Sequence, residues 1–221
     1  MARAKVKICG ITNLKDARQA IKEGADFLGF NFYEGSSRYI SPVKAQKIVV
    51  ALPERVAVVG VFVNEDERTM LEIARAVGLD YLQLHGDETH ETVARLKRLQ
   101  PALKIIKAIR VQKSFRASHL AGYKKADALL LDGFDSRLRG GTGKTFDWSV
   151  AKRAKRYGSV LLAGGIRPEN AAEAIRAAQP YAIDVCSGVE SAPGKKDHAK
   201  VRELMRAVTK TTAMQKKRRK S

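Results

Sequence analysis

Short apolar runs, many of them rich in β-branched residues, alternate along this chain with longer stretches whose apolar positions recur every three or four residues. The runs predict eight strands, over 6–10, 27–32, 56–63, 81–85, 104–110, 128–132, 160–164 and 181–186. The intervening stretches predict helices near 13–23, 42–52, 65–77, 88–99, 114–122, 147–157, 168–178 and 197–209; Leu71, Ala74 and Val77 show the spacing. Helix starts are marked by Asn13, Asn64, Asp87 and Asp147 as N-caps and by Pro42 and Pro168 in first turns. Gly24, Gly78 and Gly158 follow helix ends.

The runs "AVVGVFV" and "ALLLD" are almost wholly apolar, as parallel strands covered on both faces must be. Eight such units predict an α/β fold, a single (β/α)8 TIM barrel over 1–210. The remaining residues, 211–221, read as a short disordered basic tail. An open doubly wound sheet is the alternative, because periodicity counts strands without showing closure. Two strand-to-helix connections, 33–41 and 133–146, are long, and in a barrel both would lie at the mouth where active sites are built.

Composition narrows the class. The chain has 221 residues, 44% of them hydrophobic, and no apolar run near the ~18 residues of a membrane span. Its start, "MARAKVKICGITN", lacks the apolar core of a signal peptide, so a cytoplasmic protein is expected. Two cysteines in a reducing compartment read as free thiols, with a Cys9–Cys186 bridge as the disfavoured alternative. The formal net charge of +19 draws anions, whether phosphorylated metabolites or nucleic acid. Five of the basic groups, and none of the acids, fall in the last eleven residues. A primary nucleic-acid role is disfavoured: aromatics make up 6% of the chain and, outside the tail, basic residues are spread over nearly every helix. A weak association through the tail stays open.

The strand ends supply the candidate chemistry. Cys9 is either a small buried hydrophobe or a thiolate base favoured by the start of the following helix. Asp132, ending "ADALLLD", is either a turn cap or a partly desolvated general acid. Gly164 and Gly165 after the seventh strand, with Ser187 and Gly188 after the eighth, fit the phosphate site that many barrels build there; ordinary turns are the alternative. Arg38 could clamp a carboxylate or simply be solvated, and His85 is ambiguous between structural and chemical roles. "GGTGKT", residues 140–145, is no nucleotide loop, because the glycine that motif needs five positions before Gly143 is Leu138; the segment reads as a candidate lid. No metal-ligand cluster is evident.

Taken together, "KICGIT", "GFNFYEGSSRYI", "VGVFVN", "LQLHGDE", "LLLDGF" with "GGTGKTFDW", "LLAGGIRPENA" and "IDVCSGVESAPGKKD" resemble the phosphoribosylanthranilate isomerase family from about residue 5 to residue 208. The resemblance implies a cofactor-free barrel that converts N-(5-phosphoribosyl)anthranilate to 1-(2-carboxyphenylamino)-1-deoxyribulose 5-phosphate, an Amadori rearrangement of tryptophan biosynthesis. It puts the general base on Cys9 and the general acid on Asp132. It also implies that Arg38 holds the anthranilate carboxylate and that Gly164, Gly165, Ser187 and Gly188 bind phosphate, with Asp184 facing the substrate. A phosphorylated small molecule is the implied partner, and the chain is expected as a monomer or homodimer. One departure stands out, since the family often reads "VSSGVE" where this chain has Cys186. Other phosphosugar barrels, or an isomerase that also accepts the related histidine-pathway aminoaldose, are the rival readings.

Overall fold

A computed structural model describes residues 3–53, 56–112, 115–133 and 148–217. Eight parallel strands close a barrel in chain order: β1 (Lys5–Cys9), β2 (Phe27–Asn31), β3 (Ala57–Phe62), β4 (Tyr81–Leu84), β5 (Lys104–Arg110), β6 (Ala128–Asp132), β7 (Ser159–Ala163) and β8 (Ala182–Val185). Closure comes from β1 pairing with β8, Lys7 opposite Asp184 and Ile8 opposite Val185. A small antiparallel pair, β9 (Glu190–Ala192) and β10 (Lys195–Lys196), follows β8. The open doubly wound sheet is thereby excluded.

The helices are α1 (Leu14–Lys22), α2 (Pro42–Val50), α3 (Glu67–Val77), α4 (His90–Leu99), α5 (Ser149–Ala154), α6 (Pro168–Ala178) and α7 (His198–Lys217). Among the described residues, none is long and apolar enough to cross a membrane. Strand alternation gives each strand an outer and an inner face. Outward residues such as Leu28, Phe62 and Leu129 pack against the helices in one large cluster. A second cluster, including Phe27, Val59, Ile106, Leu130 and Leu161, fills the barrel. Lys7 is in register with Phe27 and with Asp184, and Gln83 with Ile106, so all three share the inner face. The barrel is apolar below and polar toward its mouth.

Several local expectations are corrected. Segment 114–122 was expected as a helix, but Ala117–Tyr123 forms a 3-10 segment; it has no side-chain cap and carries Gly122, which weakens an α-helix. The helix expected over 147–157 ends as α5 at Ala154 and tightens into a 3-10 turn, Lys155–Tyr157. Asn64 and Asp87 do not cap α3 and α4; Asp66 and Thr89 do. Asn64 instead takes a positive φ of 52° and accepts from the Asp87 amide at 2.6 Å, so both residues tie neighbouring loops together. Asp147, expected as a cap, and the candidate lid beyond Gly133 lie outside the described residues.

The boundary expected at residue 210 falls inside a helix. α7 continues to Lys217, Thr211 is buried, and its hydroxyl donates to the Ala207 carbonyl. That anchored turn carries the helix into the segment expected to be disordered; 218–221 lie outside the described residues.

Asp16 pins the end of the barrel to its start. Its carboxylate accepts from the Lys196 amide at 2.8 Å and lies 2.8 Å from His198 Nε2 and 2.8 Å from Asn13 Nδ2. Burial pushes its pKa up, but these partners prevail and hold it below the ordinary carboxylate value. The linked stability is therefore present above the unfolded carboxyl's pKa of about 4 and is lost as pH falls through the lower folded value. Asp16→Ala should cost about 2–3 kcal/mol at pH 7 and flatten the acid limb of stability, measured by urea unfolding at pH 3 to 7.

Candidate active site

Cys9 closes β1 and Asp132 closes β6, so both stand at the C-terminal rim of the barrel. Gly10 turns the chain away with φ +75°, a conformation that favours glycine. A Cβ there would also lie 2.9 Å from Arg38 Cδ and 3.0 Å from Cys186 Sγ. Glycine behind the cysteine thus lets an arginine and a second thiol close over the strand end.

Cys9 and Cys186 are both free thiols. The register of β1 with β8 ends at Ile8 and Val185, which leaves Cys9 and Cys186 side by side one residue higher. A hydrogen bond from Cys186 is the largest influence on Cys9 and favours its thiolate. Burial opposes ionisation, but the ammonium groups of Lys7 and Lys196 reinforce it, and the Cys9 pKa falls well below the usual thiol value. Cys186 moves the other way, pushed up chiefly by its hydrogen bond to Cys9 and by burial. These opposite directions favour the thiolate on Cys9 and the proton on Cys186, whose Sγ also lies 3.7 Å from Glu190 Oε1. Cys9 stays partly open to the mouth.

Asp132 faces His85, whose Nε2 lies 3.4 Å from Asp132 Oδ2. Gln83 Nε2 sits 3.0 Å from His85 Nδ1. With the amide donating, the ring proton is on Nε2, directed at Asp132. His85 is thereby a partner of the carboxylate. Gln83 Oε1 is buried and has no partner among the described residues.

Arg38 is neither solvated nor unengaged. Its Nε and Nη2 grip the Glu190 carboxylate at 3.0 and 2.7 Å, while Nη1 is 3.3 Å from Ser37 Oγ. Glu190 also accepts from buried Lys196 at 2.8 Å. Burial works against the Glu190 carboxylate, but these two cations outweigh it and keep its pKa below the usual value. The ion-paired cluster holds the arginine beside Cys9 and Cys186.

The two glycine-rich turns meet at the rim. Gly164 and Gly165 have φ of 88° and 67°, and Asn170 fastens this loop by donating to the Gly165 carbonyl and accepting from the Arg167 amide, both at 2.9 Å. Ser187–Val189 forms a 3-10 turn, and its first amides have no partner within the turn. A Cβ on Gly188 would collide with the Ile166 carbonyl oxygen, so the two loops touch only because residue 188 is glycine. The two glycine-rich loops are therefore in direct contact at the rim.

Of the sequence candidates, Cys9, Asp184 and Arg38 thus join one cluster with Cys186, Asp132 joins His85, and the four loop residues form a third group. Lys7, Gln83, Glu190 and Lys196 were not singled out. Lys7 carried a signal: in "KVKIC" it shares the period-two face of Cys9. Nothing in the local pattern marks Glu190 or Lys196, because their partners are distant in sequence or lie on another turn. Among the described residues no three His, Cys, Asp or Glu side chains stand together as metal ligands.

Comparison with known proteins adds independent information. The family described as N-(5'-phosphoribosyl)anthranilate (PRA) isomerase matches residues 6–207. A Geobacter metallireducens N-(5'-phosphoribosyl)anthranilate isomerase is 48% identical over 202 residues, 91% of this chain and 97% of that one. The crystal structure of the Thermotoga maritima phosphoribosyl anthranilate isomerase superposes with a TM-score of 0.85 at 41% identity, covering 94% of this chain and 99% of that chain. Another structure of such an isomerase, in complex with reduced 1-(o-carboxyphenylamino)-1-deoxyribulose 5-phosphate, has a TM-score of 0.83 at 39% identity, with the same coverage. A Salmonella typhimurium 3-hexulose-6-phosphate synthase, 12% identical with a TM-score of 0.72, shares the fold alone.

Proposed function

The chain belongs to the N-(5'-phosphoribosyl)anthranilate isomerase family, and on that premise we propose that Cys9 is its general base and Asp132 its general acid. The enzyme isomerises N-(5'-phosphoribosyl)anthranilate to 1-(2-carboxyphenylamino)-1-deoxyribulose 5-phosphate in tryptophan biosynthesis. The reaction moves protons and opens a ring, so two groups of opposite duty at one barrel rim suit it. Asp132 gives its proton to the furanose ring oxygen as the C1–O bond breaks and the amine nitrogen forms a Schiff base. The Cys9 thiolate then takes the C2 proton, and the C–H electrons become the C1–C2 double bond of an enolamine. Tautomerisation, with a proton added at C1 and lost from the C2 hydroxyl, yields the ketone.

The observation that carries this reading is the setting of Cys9 at the end of β1, with Cys186 beside it across the β1–β8 seam and the Lys7 ammonium beneath it. A base must be ionised before it acts, and Cys186 and two lysines favour that state on Cys9. Arg38, steadied by Glu190, offers its remaining donors to the anthranilate carboxylate, and the amides of Gly164, Gly165, Ser187 and Gly188 bind the phosphate dianion. Asp184 acts beneath the rim as Lys7's partner. The substrate is a small phosphorylated molecule, and the surplus of positive charge favours its approach. A cytoplasmic monomer or homodimer is proposed; a Thermotoga maritima relative is described as dimeric.

Purified protein should consume N-(5-phosphoribosyl)anthranilate generated in situ, followed as loss of substrate fluorescence. A folded chain that leaves the signal unchanged would overturn the reading. Arg38→Ala should raise KM by about 10- to 100-fold with a smaller change in kcat, the signature of lost substrate binding. An equal fall in kcat and kcat/KM at constant KM would instead place Arg38's effect in the transition state.

A further inference from the structure

Lys7 has its whole side chain buried inside the barrel, with an exposure of 0%. It stands on β1 two residues before Cys9, on the same face and one layer lower. Its Nζ donates to Asp184 Oδ1 at 3.0 Å, and Asp184 is its register partner across the β1–β8 seam. Gly29, opposite Cys9 on β2, explains how the ammonium and the sulfur come together: a Cβ there would lie 2.8 Å from Cys9 Sγ and 2.9 Å from Lys7 Nζ. The missing side chain leaves the space in which they meet.

A buried ion pair is a poor source of stability, since apolar residues of similar volume usually serve as well. Its retention under a nucleophilic side chain calls for another reason. We propose that Lys7 is a positioning residue, a fixed positive charge beneath the Cys9 sulfur that Asp184 orients and partly offsets. The proposal rests on Cys9 being the base.

Among the described residues, the other charged or titratable groups around the sulfur are Cys186 after β8, Lys196 from β10 and Arg38 from the β2–α2 connection, with Glu190 behind them. Asp184 also feels His85 from the end of β4. Burial pushes the Asp184 carboxyl up to about 6 against the pull of Lys7. Its folded value exceeds its unfolded one, so the proton is retained from about pH 4 to 6, and above that range Asp184 competes with Cys9 for the ammonium. Removing Asp184's charge and removing Lys7's charge must therefore act on the sulfur in opposite directions. A pair that merely filled the core would give no such reversal.

The test is the pH dependence of iodoacetamide alkylation at Cys9, resolved from Cys186 by peptide mass and needing no turnover. Lys7→Met alone strands a buried carboxylate, so the double variant Lys7→Met/Asp184→Asn keeps the core neutral. It should alkylate Cys9 at least tenfold more slowly at pH 7, with the midpoint raised by about one pH unit or more. Asp184→Asn alone should lower the midpoint. The acid limb of kcat/KM should follow the double variant's shift upward. A folded double variant with the parent's alkylation midpoint, or midpoints that move the same way in both variants, overturns the proposal. A midpoint that moves while the kcat/KM limb stays fixed keeps Lys7 under the sulfur but removes Cys9 as the base, so the two failures are distinct.

Discussion

Cys9→Ala should lower kcat by about three orders of magnitude, within the range a general base contributes, while leaving KM within a few-fold of the parent. The variant removes a thiol whose surroundings favour a negative charge: Cys186, Lys7 and Lys196 all lower its pKa. Cys186 follows β8 rather than ending β1, so even as a thiolate it would not stand where Cys9 meets the C2 proton. Cys9→Ser should lose nearly as much, since a hydroxyl in the same field stays neutral at pH 7. The measurement is a steady-state fluorescence assay alongside far-UV circular dichroism to establish folding. Retention of more than about a tenth of the parent kcat by folded Cys9→Ala would assign the base to another residue.

Asp132→Asn should cost about two to four orders of magnitude in kcat at an unchanged fold, because an amide cannot give a proton to the ring oxygen. Shape is conserved, and the ring of His85 at 3.4 Å keeps a polar neighbour. The effect should be confined to ring opening. An open-chain substrate analogue that enters as the Schiff base should therefore be turned over by Asp132→Asn far better than the cyclic one, and not by Cys9→Ala. Equal losses on both substrates would refute the division of labour. Rim geometry supports that division, since the thiolate and the carboxyl stand on β1 and β6, well apart around the barrel.

The other consequences are gentler and separable. The acid sensitivity at Asp16 concerns the seam where α1 meets β10 and α7, Arg38 concerns binding, and Lys7 concerns the ionisation of the base. Each has its own readout, so a general loss of folding cannot pass for loss of chemistry.

Much of the architecture was legible because parallel strands buried on both faces leave an unusual trace, short runs with almost no polar residue. β5 and β6 begin and end where that trace predicts, and the other strands shift by one residue at one or both ends. Helix starts were harder. Asn64 and Asp87 look like caps from sequence, but they bond to each other across the β3–α3 and β4–α4 loops, the Asp87 amide donating to Asn64 Oδ1 at 2.6 Å and Asn64 Nδ2 to Asp87 Oδ2 at 3.3 Å. Only the spatial neighbour decides which hydrogen bond a short polar side chain takes. In the C-terminal segment the helical pattern predicted from sequence stops at residue 209, whereas α7 runs on and Thr211 is buried and bonded within it.

What the sequence by itself determined is the list of strands, the positions of Cys9, Asp132, Arg38 and the two glycine-rich turns, and the family they belong to, because these are set by short-range pattern and by motif order. What the tertiary structure alone decided is the state of those groups. The ionisation of Cys9 depends on Cys186 and Lys196, almost two hundred residues away, as well as on nearby Lys7. The aim of Arg38 depends on Glu190, and the burial of Lys7 is tolerable only because barrel closure sets Asp184 beside it. Electrostatic energy follows distance through space and the local dielectric, and neither exists until β8 closes against β1.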